Sequence, residues 1–239
     1  MNWWEGFFDE EYARYFLPPQ VEEQARLVAG LLQLNPGQRV FDQCCGQGRF
    51  SQALARLGLQ PVGVDACEEY VEAARAACPQ GHFFCADASV FQSEVPCHGG
   101  FNVFSSFGYS ADDGFNLNLL KCAHSSLCPG GWFLLETINF ANVLVNFQPT
   151  MVTQVAEGLR LERHSRLDWS EGMLRQEWTL IRPDQSRRRH STCTRILLPR
   201  ELGEMLQAAG FEPVRMLGNL AGDPFAQDNA RVVWLARRR

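Results

Sequence analysis

The amino-acid sequence predicts a doubly wound, mostly parallel α/β sheet of seven strands, interrupted after the fifth by an antiparallel β insertion. Three observations predict it. Short apolar runs alternate with amphipathic stretches from Val21 to about Glu136. The strands among them are continuously apolar, as strands covered on both faces are. Between Val152 and Leu198 that pattern gives way to interleaved polar and apolar residues, the mark of hairpins with one solvated face.

The elements follow in order. Val21, Ala25, Val28, Leu31 and Leu32 fall at helical spacing, and Asn35-Pro36-Gly37 ends the helix at Leu34. Arg39 to Gln43 reads as a buried strand that runs into the loop Cys45-Gly-Gln-Gly48, with a helix from Arg49 to Leu57. Pro61 to Asp65 is the second strand, Glu68 to Cys78 a helix, and His82 to Cys85 the third strand, ending near Asp87. Phe101 to Ser106 reads as the fourth strand and Asp113 to Leu127 as a helix. Pro129-Gly-Gly131 then turns into a fifth strand at Trp132. In the insertion, Ser170-Glu-Gly172 and Pro183 to Ser186 are hairpin turns. Pro199 to Gly210 returns to helix, and Phe211 to Leu217 and Arg231 to Ala236 close the sheet. The whole, residues 1–239, reads as one domain with a helical lid over 1–35 and an insertion over 150–198 that covers the substrate side.

Composition narrows the function classes. Apolar residues at 46% and charged residues at 21% are ordinary globular usage. A net charge of -5 argues against a nucleic-acid backbone as the main partner. No apolar run approaches a membrane span. The acids and aromatics of Met1 to Glu11 are unlike an export signal, so the reading is cytoplasmic with no membrane partner. The nine cysteines contain no C-x-x-C pair, and the five histidines are scattered, so no metal is expected. Reduced, mostly buried thiols follow.

In an open parallel sheet, ligands bind beyond the carboxyl ends of the strands where strand order reverses. Asp42, Gly46 and Gly48 follow strand one, Asp65 ends strand two, Asp87 follows strand three, and Ser105 to Tyr109 follow strand four. Glycines in the first loop let backbone approach a ligand and leave helix amides free to donate to an anion. An acid at the end of strand two can accept from two ribose hydroxyls, which suits an adenosine-containing cofactor. The nicotinamide fingerprint wants a third glycine where Ser51 stands.

Val40-Phe-Asp-Gln-Cys-Cys-Gly-Gln-Gly-Arg49, Gly63-Val-Asp65, Ala86-Asp87-Ala88 and Pro129-Gly-Gly131 resemble the successive motifs of class I S-adenosylmethionine-dependent methyltransferases, over about Arg39 to Trp132. The resemblance implies their Rossmann-like fold and their cofactor. It implies that Asp42, Gly46 and Gly48 hold the methionine part and Asp65 the ribose, with Ala66 and Cys67 forming an adenine wall and Asp87-Ala88 meeting the adenine amino edge. Cys44 departs from the family, which often has glycine there. Phe104 to Tyr109, Arg195 and Ala208-Ala-Gly-Phe211 more faintly resemble aminosugar N-methyltransferases. Trp3 to Tyr12 is similar to the family's aromatic segment, which folds over the cofactor.

On that resemblance the cofactor ligands further include Tyr15 and Ser105, and Tyr12, Tyr109 and Arg195 are the catalytic candidates. Glu136 and Asn139, at the end of strand five, are expected to face the same cleft. Sulfonium methyl transfer needs no covalent intermediate, so Cys44 and Cys45 read as packing. The acceptor is a small molecule, methylated on N or O, and edge strands of the insertion could pair two subunits. Two rivals stay open: a nicotinamide-dependent oxidoreductase and a non-catalytic module that keeps the cofactor site.

Overall fold

The computed structural model describes Tyr15 and residues 20–239. The chain divides into two compact units, the larger built from residues 20–107, 112–143 and 197–239. In it run α1 (Val21–Leu31), β1 (Arg39–Gln43), α2 (Arg49–Arg56), β2 (Gln60–Asp65), α3 (Glu68–Ala77), β3 (His82–Cys85), β4 (Cys97–Asn102), α4 (Asp113–Ser125), β5 (Leu127–Ile138) and the first four residues of α5 (Phe140–Val145). After the insertion it resumes with α6 (Pro199–Ala208), β10 (Phe211–Leu217) and β11 (Arg231–Arg238).

The predicted seven-stranded sheet forms, in the order β10-β11-β5-β4-β1-β2-β3. β1 to β5 are parallel, and β11 runs antiparallel to both β5 and β10. Successive residues of a strand enter opposite cores: Val40, Leu134 and Val233 pack on one face with Val28 and Leu54, and Phe41, Phe133 and Val232 on the other with Leu120 and Leu206. That two-sided burial is why the strands read as unbroken apolar runs.

Several boundaries differ from the expectation, each for a local reason. The first helix ends at Leu31, because Gln33 turns left-handed at φ 54 and closes the end with Leu34 N to Ala29 O and Gln33 N to Gly30 O bonds. This is a Schellman end with glutamine in the usual glycine place. The fourth strand begins at Cys97 and stops at Asn102, not Ser106. Gly99 and Gly100, outside the expected strand, are strand residues: a Cβ on Gly100 would meet the Leu127 side chain at 3.0 Å and the Phe41 Cβ at 3.2 Å. Pro129-Gly-Gly131 lies inside β5, where the pairing jumps from Cys97↔Leu127 to Gly99↔Trp132 and the intervening residues bow out.

The smaller unit contains residues 108–111 and 144–196. Its strands β6 (Thr150–Ala156), β7 (Leu159–Asp168), β8 (Met173–Ile181) and β9 (Arg187–Arg195) form one antiparallel sheet in chain order. The turns fall where the sequence places them. Tyr15 packs against the cluster of Leu159, Leu161 and Leu180 in this unit. No helix among the described residues is long and apolar enough to cross a membrane.

Candidate functional site

Strand order reverses between β1 and β4, which lie side by side in the larger unit, so the loops after them line the cleft where such sheets take ligands. Cys44, just past β1, adopts φ 64, and Gly46 and Gly48 follow at φ 52 and 70. The left-handed turn at Cys44 explains why glycine suits that position.

The two loop glycines have different reasons. Among the described residues a Cβ on Gly46 would find only Tyr70, at 4.0 Å, which leaves room for a ligand there. A Cβ on Gly48 would lie 2.8 Å from that of Ala74 on α3, so Gly48 serves helix packing first. This modifies the expectation that both glycines admit the ligand.

Asp65, at the end of β2, is partly buried. Its carboxylate accepts from Gly46 N at 2.8 Å and from Cys67 N at 3.0 Å, joining the glycine loop to the start of α3. Burial pushes its pKa up, and the amides of Cys67, Gly46 and Ala66 oppose that shift. Ala66 beside it is exposed and Cys67 half-buried. Asp87, past β3, is exposed; one oxygen accepts from Ser89 N at 2.8 Å, a local turn in which no helix follows. Ala88 is turned into the core.

Asp42 is 3% exposed, and Ser51 Oγ, on α2, donates to its Oδ2 at 2.6 Å. Burial pushes this carboxyl up to about 7, the Ser51 bond opposes the rise, and the charge of Asp65 adds to it. A native carboxyl that keeps its proton to near pH 7, against 3.8 when unfolded, makes the folded state bind more protons in between. The contribution of this carboxyl to stability is therefore full below about pH 4 and is lost as pH rises through about 7. Asp42→Asn is expected to flatten that limb: its urea midpoint should differ less between pH 5 and pH 8 than the wild-type midpoint does. Equal pH dependence in both would show Asp42 to be ionised throughout.

After β4 the chain makes an unusual turn, with Phe104 and Ser105 both left-handed at φ 59 and 61. Two contacts hold it. Glu136 accepts from Phe104 N at 2.9 Å, and the buried Ser105 hydroxyl accepts from Arg231. Glu136 is thus committed to the loop, and Asn139, fully buried, bonds the carbonyls of Gln227 and Asn229 and caps α5 through Ala141 N. Asn139 is thus engaged through both its amide nitrogen and its oxygen, and Glu136 through Oε2. Beneath the turn, Asn102 donates to Gln43, whose own amide donates to Leu119 O at 2.9 Å.

The thiols of Cys44 and Cys45 are pushed far up by burial and by the carboxylates around them, so both stay protonated. Of the nine cysteines, four are buried and Cys85 is exposed.

The remaining candidates among the described residues lie in the other unit. Arg195 Nη1 donates to Gly172 O at 3.0 Å and Ile196 O at 3.3 Å, and Arg195 N to Gly108 O. It ties the β7–β8 turn and the segment of Tyr109 to the end of β9. Tyr109 is half-buried there. Tyr12 and the aromatic residues Trp3 to Phe8 lie outside the described residues.

The larger unit's cleft therefore offers a partly buried carboxylate at the end of β2, the small side chains of Ala66 and Cys67 beside it, a glycine with room in front of it and an exposed acid past the third strand. A fold and site of this kind define a methyltransferase. A family profile described as a methyltransferase domain matches residues 10–216, and the chain belongs to that family, with S-adenosylmethionine as its cofactor. It is 28% identical over 142 residues to the ubiquinone biosynthesis O-methyltransferase of Xanthomonas campestris, a match covering 58% of this chain and 56% of that one. The chain thus spans just over half the length of that relative.

Among solved structures it is similar to the CcbJ methyltransferase of Streptomyces caelestis, with TM-score 0.82, 20% identity, and coverage of 92% of this chain and 90% of that one. It is also similar to CalS10, an amino pentose methyltransferase of Micromonospora echinaspora solved with the cofactor bound, with TM-score 0.71, 17% identity and 98% coverage of both chains. At these identities the likeness is one of fold.

Proposed function

We propose that the chain transfers the methyl group of S-adenosylmethionine to a nitrogen or oxygen of a small-molecule acceptor. The observation that carries this reading is Asp65, bonded by the glycine loop and the start of α3 at the end of the second strand. When bound, the cofactor supplies a methyl group already activated on a cationic sulfur. The chain then has to bind, orient and exclude water.

Asp65 accepts from the ribose hydroxyls with the lone pairs its two amide bonds leave unused. Ala66 and Cys67 offer the apolar wall, and the second oxygen of Asp87 meets the adenine edge. Gly46 leaves room for the methionine part, and Asp42 braces the loop from below through Ser51. The protonated Cys44 and Cys45 thiols are poor nucleophiles, which favours direct transfer over a covalent enzyme intermediate.

A small acceptor is favoured by the acidic balance of the chain and by the names of its relatives, which include an O-methyltransferase and an amino pentose methyltransferase. An amine acceptor needs only to arrive unprotonated, whereas a hydroxyl gains from a nearby base. The same proposal gives acceptor selection to the insertion over 150–198 and the N-terminal residues 1–35. Tyr12, Tyr109 and Arg195 belong to that task, and a homodimer through β6 or β9 and a cytoplasmic setting go with it.

The test is a melting curve with each cofactor, followed by turnover on a panel of amines and phenols. S-adenosylmethionine should raise the Tm by mass action and NADH should not. A shift with NADH alone would overturn the reading, and binding without turnover on any acceptor would point to the regulatory module instead.

A further inference from the structure

The sheet of the smaller unit sorts its charges by face. Directly paired residues share a face, so the register of β7, β8 and β9 puts Glu162, Glu177 and Asp168 on one side. These are all the acids of its four strands. The same side carries Arg160 and Arg175, and the pairs form there: Arg160 with Glu162 at 3.3 Å, and Arg175 with Asp168 at 3.1 Å.

The opposite face carries Arg163 and no carboxylate from these strands. Arg163 stands in a row between Met151 of β6 and Trp178 of β8. Its guanidinium carbon lies 5.7 Å from the Trp178 ring centroid, and Nη2 contacts Met151 Sδ at 2.9 Å. Its Nε is buried without an acceptor, and Arg163 makes no ion pair among the described residues.

A ring face compensates a cation only in part. Arg163 as a whole is half-buried, but its Nε is shut off from water, and a buried donor of a charged group left without an acceptor costs more than such a contact returns. The cation–π contact therefore leaves Arg163 short of compensation. The next row on the same face adds Ser165, Gln176 and Thr192. Gln176 donates to Ser165 Oγ at 3.0 Å, so the Ser165 hydroxyl proton is directed to a further acceptor.

We propose that this face is an anion subsite, in which Arg163 with Ser165 beside it holds a carboxylate or phosphate group of the methyl acceptor. Only the word acceptor rests on the methyl-transfer reading; the anion site stands on Arg163 itself. The planar guanidinium, 5.7 Å from the Trp178 ring centroid, carries the bidentate fork that both anions match.

The experiment titrates the full chain with inorganic pyrophosphate and, separately, with succinate at constant ionic strength, with and without saturating S-adenosylmethionine. Wild type is expected to bind one of the two with a Kd below about 1 mM, which also distinguishes phosphate from carboxylate. Arg163→Met should weaken that binding by roughly tenfold or more, and Ser165→Ala by about threefold, the worth of one neutral hydrogen bond. Cofactor affinity should be unchanged in both. No binding of either probe by wild type, unchanged binding in both variants, or displacement of the probe by S-adenosylmethionine would overturn the subsite. Probe binding that depends on Arg163 in a protein that ignores S-adenosylmethionine would instead overturn the methyl-transfer reading and leave the anion site standing. Should Arg163→Met not fold, Ser165→Ala decides on the same terms.

Discussion

Asp65→Ala is expected to weaken S-adenosylmethionine binding by roughly tenfold or more while the protein stays folded, since each hydrogen bond to a charged group contributes about 1.5 to 3 kcal/mol. Two routes add. The ribose loses its acceptors, and Gly46 and Cys67 lose the carboxylate that fixes their amides at 2.8 and 3.0 Å. Folding should survive because the side chain is only partly buried at a strand end, where water can take over both amides. Calorimetric titration gives the affinity, and amide exchange at Gly46 reports the loosened loop. Wild-type affinity in a folded variant would remove Asp65 from the site.

The sheet was legible because its strands carry the signature of two-sided burial, and the insertion because its alternation has period two. What escaped was set by contacts distant in sequence. Gly99 and Gly100 carry no apolar side chain by which to extend the strand back from Phe101, and only the closeness of Phe41 and Leu127 shows why none fits at Gly100. Ser51 read only as a missing third glycine, although as the third residue of α2 it is well placed to reach back to Asp42. That spacing was the available signal. Glu136 and Asn139 were placed at the right strand end, yet their partners, Phe104 and the loop at 227–229, lie tens of residues away. Arg163 had no local signal at all: a lone arginine in an alternating strand is ordinary until cross-strand register shows which face lacks acids.

Gly48→Ala is expected to destabilise the larger unit by about 3 kcal/mol, combining two costs. A non-glycine residue at φ 70 costs about 1 to 2 kcal/mol. The new Cβ would also sit 2.8 Å from Ala74 Cβ and 3.0 Å from its Cα, and relieving such an overlap between packed helices costs about 1 to 3 kcal/mol more. Gly46→Ala should behave in the opposite way. Its nearest neighbour among the described residues is Tyr70 at 4.0 Å, so only the backbone cost applies to folding, while the added methyl fills the space in front of the loop and should impair cofactor binding. Urea unfolding and cofactor titration of both variants separate the two roles. A third protein, Gly48→Ala with Ala74→Gly, removes the Cβ to Cβ overlap and leaves the backbone strain, so its loss should be smaller than the sum of the two single losses. Strict additivity would show that α3 is not what Gly48 accommodates, and a stability loss in Gly46→Ala as large as in Gly48→Ala would show that the open space before the loop is not there.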